Sequence, residues 1–283
     1  MRRVLVTGAN GMLGQDLCPI LEDEGYEVIE TDIKNLDITN SDMVKKVISE
    51  ERPDIVIHCA AYTNVDKAEE DYEIAHKINA VGTENLAKVC TADDITLVYI
   101  STDYVFKGNG ARPYKPTDET SPLNNYGLTK YEGEQAVQKY CKKFYICRTS
   151  WLYGIHGKNF VETMISLANV PTEHNTIAVT KPELKVVDDQ VGCPTWTVDL
   201  SNAIVKIIND KPYGIYHTCG GGCTSWYGFA KEIFSLANLD VNLKSCATEE
   251  FPRPAKRPKY SVMDNEGLCR PWQKALAEYM QIR

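Results

Sequence analysis

Val4-Leu5-Val6-Thr7-Gly8-Ala9-Asn10-Gly11-Met12-Leu13-Gly14 is the stretch on which the fold is decided. Val4 to Val6 is a short apolar run of the kind a buried strand makes. From Gly11 onward, Leu13, Leu17, Ile20 and Leu21 recur at helical spacing. Gly8, Gly11 and Gly14 form a Gly-x-x-Gly-x-x-Gly turn between strand and helix. Glycine there lets the backbone bend sharply and lets a phosphate approach where a Cβ would block it. The helix that follows offers unpaired N–H groups and its positive dipole end to a pyrophosphate. The first two glycines are one residue further apart than in Gly-x-Gly-x-x-Gly. A bare triplet also fits a ligand-free tight turn; its place in the first strand–helix unit favours a dinucleotide.

Outward from this turn, strand and helix alternate. Tyr26 to Glu30 reads as a second strand ending near Asp32, where an acid can accept hydrogen bonds from adenosine ribose hydroxyls and favour NAD. Lys34, close by, is placed to meet a 2′-phosphate instead, so the choice of cofactor stays open. Asp37-Ile38-Thr39 precedes a helix from Asp42 to Glu51, with Asn40 or Ser41 as N-cap. Ile55 to Ile57 is a third strand, ending at His58-Cys59-Ala60-Ala61 with two small alanines facing the cofactor or a helix. A helix from Asp71 to Cys90 carries Asn79 in its middle, either a polar anchor near the active site or a solvated or locally satisfied amide. Ile95 to Ile100 is a fourth strand, Tyr126 opens a helix to Tyr140, and Phe144 to Cys147 is a fifth strand. This rhythm predicts an α/β protein with a Rossmann-type doubly wound parallel sheet.

Residues 1–150 are read as an NAD(P)-binding domain, rejoined by part of 188–210, and 151–283 as mainly a smaller C-terminal substrate lobe. In that lobe, Asn159 to Ala168, Val198 to Ile208, Trp226 to Ala237 and the chain from Pro271 read as helices. Lys185 to Val187 reads as a short strand, Pro171 to Pro182 as an extended excursion, and Phe251 to Pro258 as a surface loop.

The 283 residues are enough for a full core, and 43% hydrophobic with 25% charged residues is ordinary for a soluble protein. A net charge of −8 argues against broad binding to nucleic acid or an anionic membrane. No apolar run is long enough to span a bilayer, and Arg2-Arg3 leads into a strand, not an export signal. Ten cysteines without a Cys-x-x-Cys pair read as reduced thiols of a cytoplasmic protein; Cys219 and Cys223 lack further ligands for a metal.

The chemistry concentrates at Thr102, ending a strand, and at Tyr126 and Lys130, four apart at a helix start and so on one face. Carbonyl reduction needs a proton for the developing alkoxide, and a free tyrosine near pKa 10 is a poor partner at neutral pH. A neighbouring ammonium favours the tyrosinate and tunes proton exchange. Thr102 is placed to hydrogen-bond the substrate oxygen against Tyr126. Both segments follow strands of a parallel sheet, where such folds bind ligands. The candidate cofactor contacts are Gly8, Asn10, Gly11, Met12, Leu13, Gly14, Asp32, Asp37, Ile38, Ala60 and Ala61, with Tyr126 and Lys130 at the reacting end.

This combination resembles the extended short-chain dehydrogenase/reductases and, within them, the dTDP-4-dehydrorhamnose reductases. The resemblance rests on Thr7–Gly14, Ser101–Phe106, Thr120–Gly127, Arg148–Gly154, Asp189–Thr195 and Arg257–Ser261, which span most of the chain. It implies hydride transfer from NADPH or NADH to C4 of dTDP-4-dehydro-β-L-rhamnose, in nucleotide-sugar and polysaccharide biosynthesis. It implies Thr102, Tyr126 and Lys130 as the catalytic set, with Trp151, Tyr104, Asp103, Asn159 and Arg257 at the dTDP-sugar. Some relatives hold Mg2+ between subunits, which brings in a homodimer; the sequence assigns no ligand to such an ion. Asn169 to Glu183 is longer than the family pattern, with consequences for the substrate mouth or a dimer contact.

Three other readings share parts of this pattern. A sugar-nucleotide 4,6-dehydratase resembles it, but its family follows the strand-ending Ser-Thr with Asp-Glu, whereas here Asp103 precedes Tyr104. An epimerase would consume no net NAD(P)H. The regulatory subunit of methionine adenosyltransferase resembles it too, and acts by binding a partner enzyme.

Overall fold

The computed structural model describes residues 1–169 and 183–283; the expected excursion from Pro171 to Pro182 lies outside them, as does most of the long stretch after Asn169. In chain order, the first half runs β1 (Arg3–Thr7), α1 (Met12–Asp23), β2 (Glu27–Thr31), α2 (Ser41–Glu51), β3 (Ile55–His58), α3 (Tyr72–His76), α4 (Thr83–Ala92), β4 (Thr96–Thr102), α5 (Asn125–Tyr140) and β5 (Phe144–Thr149). The second half runs β6 (Leu152–Tyr153), α6 (Phe160–Ala168), β7 (Glu183–Val187), β8 (Val191–Gly192), β9 (Thr195–Trp196), α7 (Thr197–Asp210), β10 (Gly214–His217), β11 (Thr224–Ser225), α8 (Trp226–Leu236), β12 (Asn242–Cys246) and α9 (Trp272–Ile282).

Among the described residues, six strands form one parallel sheet in the order β10-β5-β4-β3-β1-β2. Period-two alternation divides its two faces. Val4, Val6, Ile55 and Ile57 pack with Leu13, Leu17 and Leu21 of α1 and with Leu200, Ile204 and Ile207 of α7. Leu5, Val56, Leu97 and Tyr99 pack on the other face with Val44 and Ile48 of α2, Leu86 and Cys90 of α4, and Val137 of α5. Each fully buried leucine or isoleucine contributes about 1.5–3 kcal/mol. The chain steps from β1 to β2 on one side and to β3 on the other, so strand order reverses at β1 and a crevice opens above the carboxyl ends there.

Several elements differ from expectation. The helix expected from Asp71 to Cys90 contains a π-helical turn at Lys77–Gly82. Asn79 within it is a buried, satisfied amide: it accepts from Tyr62 N at 2.8 Å and donates to Tyr62 O and Thr129 Oγ1, each at 3.1 Å. Helix α2 is capped by Asn40, whose side chain accepts from Asp42 N and Met43 N. The sheet strand β10 was not anticipated; it pairs with β5, Ile215 opposite Ile146. The remaining core lies where β6, β9, α6, α8 and α9 meet, around Tyr153, Val161, Trp196, Phe229, Ile233, Trp272 and Leu276. Cys18 and the other nine cysteines are free thiols. Among the described residues, no helix is long and apolar enough to cross a membrane.

Candidate active site

A cleft of about 740 Å³ runs along the carboxyl ends of the sheet, from Asp32 and Asp37 past Gly8, Gly11 and Gly14 to Thr102, Tyr126, Lys130 and Trp151. Its size falls in the range of small-molecule sites. The glycines are required by contact. Gly8 has φ +67°, and a Cβ there would stand 2.8 Å from the backbone of Ala60; one at Gly14 would stand 2.5 Å from Ala9 O. At Gly11 an added Cβ meets only Gly8 O, at 3.1 Å, and would occupy the cleft. Gly11 also caps α1 with no side-chain hydrogen bond, leaving the first N–H groups of the helix for an anion. These residues fit the pyrophosphate of a dinucleotide.

Met12, Leu13, Ile38, Ala60 and Ala61 line the same cleft. Ala60 is held there by its N–H, which donates to Thr7 Oγ1 at 3.2 Å. Asp32 closes the far end, accepting from Ile33 N at 2.6 Å and Asn10 N at 3.3 Å. Asn10 itself does not line the cleft: its backbone turns to Asp32 and its carbonyl accepts from Gln15 Nε2 at 2.9 Å.

At the other end, Thr102 terminates β4, and α5 begins at Asn125 because Asn124 accepts from Gly127 N at 2.8 Å. A Cβ at Gly127 would clash with Tyr104 O, so glycine is what lets α5 close on the strand end. Tyr104 and Tyr126 meet edge to face, 5.6 Å between centroids. Thr102 Oγ1 donates to Asp103 Oδ1 at 3.1 Å and accepts from Tyr104 N at 3.2 Å. Burial raises the Asp103 carboxyl to about 6, with Ser261 and Thr102 pulling the other way, and its Oδ2 has no partner among the described residues.

Burial pushes the Tyr126 phenol up to about 12; Thr102 opposes this and Asp103 adds to it. Near neutral pH the Tyr126 phenol therefore keeps its proton, the form that serves as donor in the reducing direction. Burial pushes Lys130 down to about 7, against the pull of Glu134. The Lys130 ammonium donates to Ile100 O at 2.7 Å and lies 4.1 Å from the centroid of the Tyr99 ring.

Trp151 lines the cleft at φ +46°, stacked on Trp226 with centroids 3.5 Å apart and planes 5° from parallel. Asn159 and Arg257, expected at the substrate, are not among the residues lining the cleft. Asn159 is the N-cap of α6, accepting from Glu162 N at 3.1 Å and donating to Gly154 O at 2.7 Å, so its amide is spent on backbone. Arg257 pairs with Asp66 at 2.9 Å and donates to Ala255 O at 2.9 Å, outside the cleft lining. Lys158, Thr63 and Val65, which no local pattern marked, do line the cleft. Among the described residues, no group of three or more His, Cys, Asp or Glu side chains is placed to hold a metal ion.

A family model described as RmlD substrate binding domain matches residues 1–282. The structure of a dTDP-4-dehydrorhamnose reductase from Clostridium acetobutylicum is 48% identical, with a TM-score of 0.93 over 99% of each chain. That of the Bacillus anthracis dTDP-4-dehydrorhamnose reductase, solved in complex with NADP, is 44% identical, with a TM-score of 0.93 over 100% of each. The dTDP-4-dehydrorhamnose reductase of Streptomyces griseus is 41% identical over 98% of this chain and 92% of its own length.

Proposed function

The chain belongs to the RmlD substrate-binding-domain family of dTDP-4-dehydrorhamnose reductases, and from that premise we propose that it reduces the C4 ketone of dTDP-4-dehydro-β-L-rhamnose to dTDP-β-L-rhamnose. It is an NAD(P)H-dependent oxidoreductase. The observation that carries the reading is that one cleft holds both the glycine turn and the Thr102, Tyr126 and Lys130 set.

When bound, NAD(P)H supplies the hydride that adds to C4. Tyr126, protonated near neutral pH, gives its proton to the oxygen at C4, so that hydride and proton together complete the alcohol. Thr102 turns its hydroxyl from Asp103 Oδ1 to that same oxygen and holds it at the phenol. The Lys130 charge stabilises the phenolate left behind. Trp151 supplies an aromatic wall and Tyr104 and Asp103 a polar one for the dTDP-sugar. Residues 1–150, with α7 packed back on α1, bind the cofactor, and most of 151–283 serves the sugar nucleotide. We assign the enzyme to the cytoplasm, as a homodimer, with no nucleic-acid or membrane partner.

The test is NADPH oxidation with enzymatically generated dTDP-4-dehydrorhamnose, followed by identification of the product. One NADPH consumed per dTDP-rhamnose formed supports the reading. Product without NADPH consumption indicates an epimerase. Turnover of another ketosugar only would make it a different 4-reductase, and no turnover with co-purification of a synthetase would make it a regulatory subunit.

A further inference from the structure

Glu134 stands one helical turn beyond Lys130 and two beyond Tyr126, so all three side chains leave α5 on one side. Its carboxylate is fully buried. Oε1 accepts from Ser101 Oγ at 2.6 Å and Arg148 Nε at 2.8 Å, and Oε2 accepts from Arg148 Nη2 at 2.7 Å. Arg148, on β5, is 2% exposed; it lies 5.0 Å from the Phe106 ring centroid and donates to Pro116 O at 3.2 Å. Such a pair is a weak stability device, because desolvation costs several kcal/mol per ion and an apolar pair of similar volume often serves as well. Its position suggests another use.

Resting on the reductase reading, we infer that the Glu134–Arg148 pair is a positioning element of the reaction: Glu134, one turn from Lys130, ties the helix bearing Tyr126 and Lys130 to the residue before Thr102 and, through Arg148, to β5. Ser101 supplies the tie on β4, and Arg148 the tie on β5. Glu134 is the main group holding Lys130 up against burial. The other groups facing Lys130 supply little negative charge. Tyr99 offers a ring face, Cys59 is a thiol pushed far up by burial, His58 is neutral, and Tyr126 keeps its proton.

The test is a titration of Lys130 in the full-length protein carrying 13Cε-lysine, its signal identified by loss in Lys130→Met. Glu134→Gln should lower the Lys130 midpoint by about one unit or more, since an opposite charge is removed and a guanidinium is left unpaired. Glu134→Gln/Arg148→Gln, which leaves no unpaired ion to prevent folding, should lower it by less. The pH dependence of turnover should move in the same order. An unchanged Lys130 midpoint in either folded variant overturns the inference. The titration uses no sugar nucleotide, so its outcome is separate from the reductase reading, whose failure shows as absent NADPH oxidation in the unaltered protein.

Discussion

Tyr126 and Lys130, one turn apart on α5, are driven apart in their titration by the same burial: the phenol rises to about 12 and the ammonium falls to about 7. Near neutral pH the phenol keeps its proton, the state a donor needs, while the ammonium sits close to its own midpoint.

The first consequence is a pH profile. In the reducing direction, turnover should decline as pH rises through about 7, because Lys130 loses the charge that stabilises the departing phenolate. Lys130→Met should be slow at every pH, lack that limb and bind NADPH more weakly. A steady-state profile of both proteins checks this.

Trp226 should matter to the sugar nucleotide without touching the cofactor. It backs Trp151 by face-to-face stacking and is itself braced by Phe160, 4.6 Å between centroids. Trp226→Leu should raise KM for the sugar nucleotide roughly twofold to tenfold, the worth of one aromatic pair. The NADPH Kd, measured by fluorescence titration, should stay as it was.

Asp32 sets the adenosine end. Its carboxylate, fixed by Asn10 N and Ile33 N, is an anion where a 2′-phosphate would come close. Asp32→Ser should shift the ratio of kcat/KM values toward NADPH over NADH by about tenfold, the effect of removing one like charge at a partly screened site.

Much of this was readable locally. The glycine turn, the Thr102 strand end and the Tyr126–Lys130 helix face depend on neighbours within a few residues, and the parallel sheet follows from their alternation. What was not readable depends on distant partners. Gly214 to His217 has too short an apolar run to declare itself, and becomes a strand only by pairing with β5, some seventy positions earlier. Arg148 and Glu134 look like surface charges until β5 and α5 bury them together. Arg257 pairs with Asp66 and does not line the cleft, which no spacing reveals. Asn159 is different: Asn159-Phe160-Val161-Glu162 carries a helix N-cap pattern, and its role was available in the sequence.

His58 gives a stability prediction. Burial pushes it down to about 3, and its ring sits between Thr7 Oγ1 at 2.8 Å and Thr83 Oγ1 at 3.1 Å. Its folded value lies below the unfolded one, so the unfolded chain gains the proton first as pH falls. Stability should be lost from about 6.5 downward toward about 3, by about 1.4 kcal/mol per unit for this group. Urea unfolding across that window should show a shallower dependence in His58→Asn than in the unaltered chain.

The most direct measurement is single-turnover oxidation of bound NADPH by dTDP-4-dehydrorhamnose in the unaltered protein and in Tyr126→Phe. Loss of the one proton-donating hydroxyl should slow the chemical step by about a hundredfold or more while NADPH binds with nearly its original Kd. A Tyr126→Phe protein that oxidises NADPH at the unaltered rate, with chemistry limiting, would contradict the account.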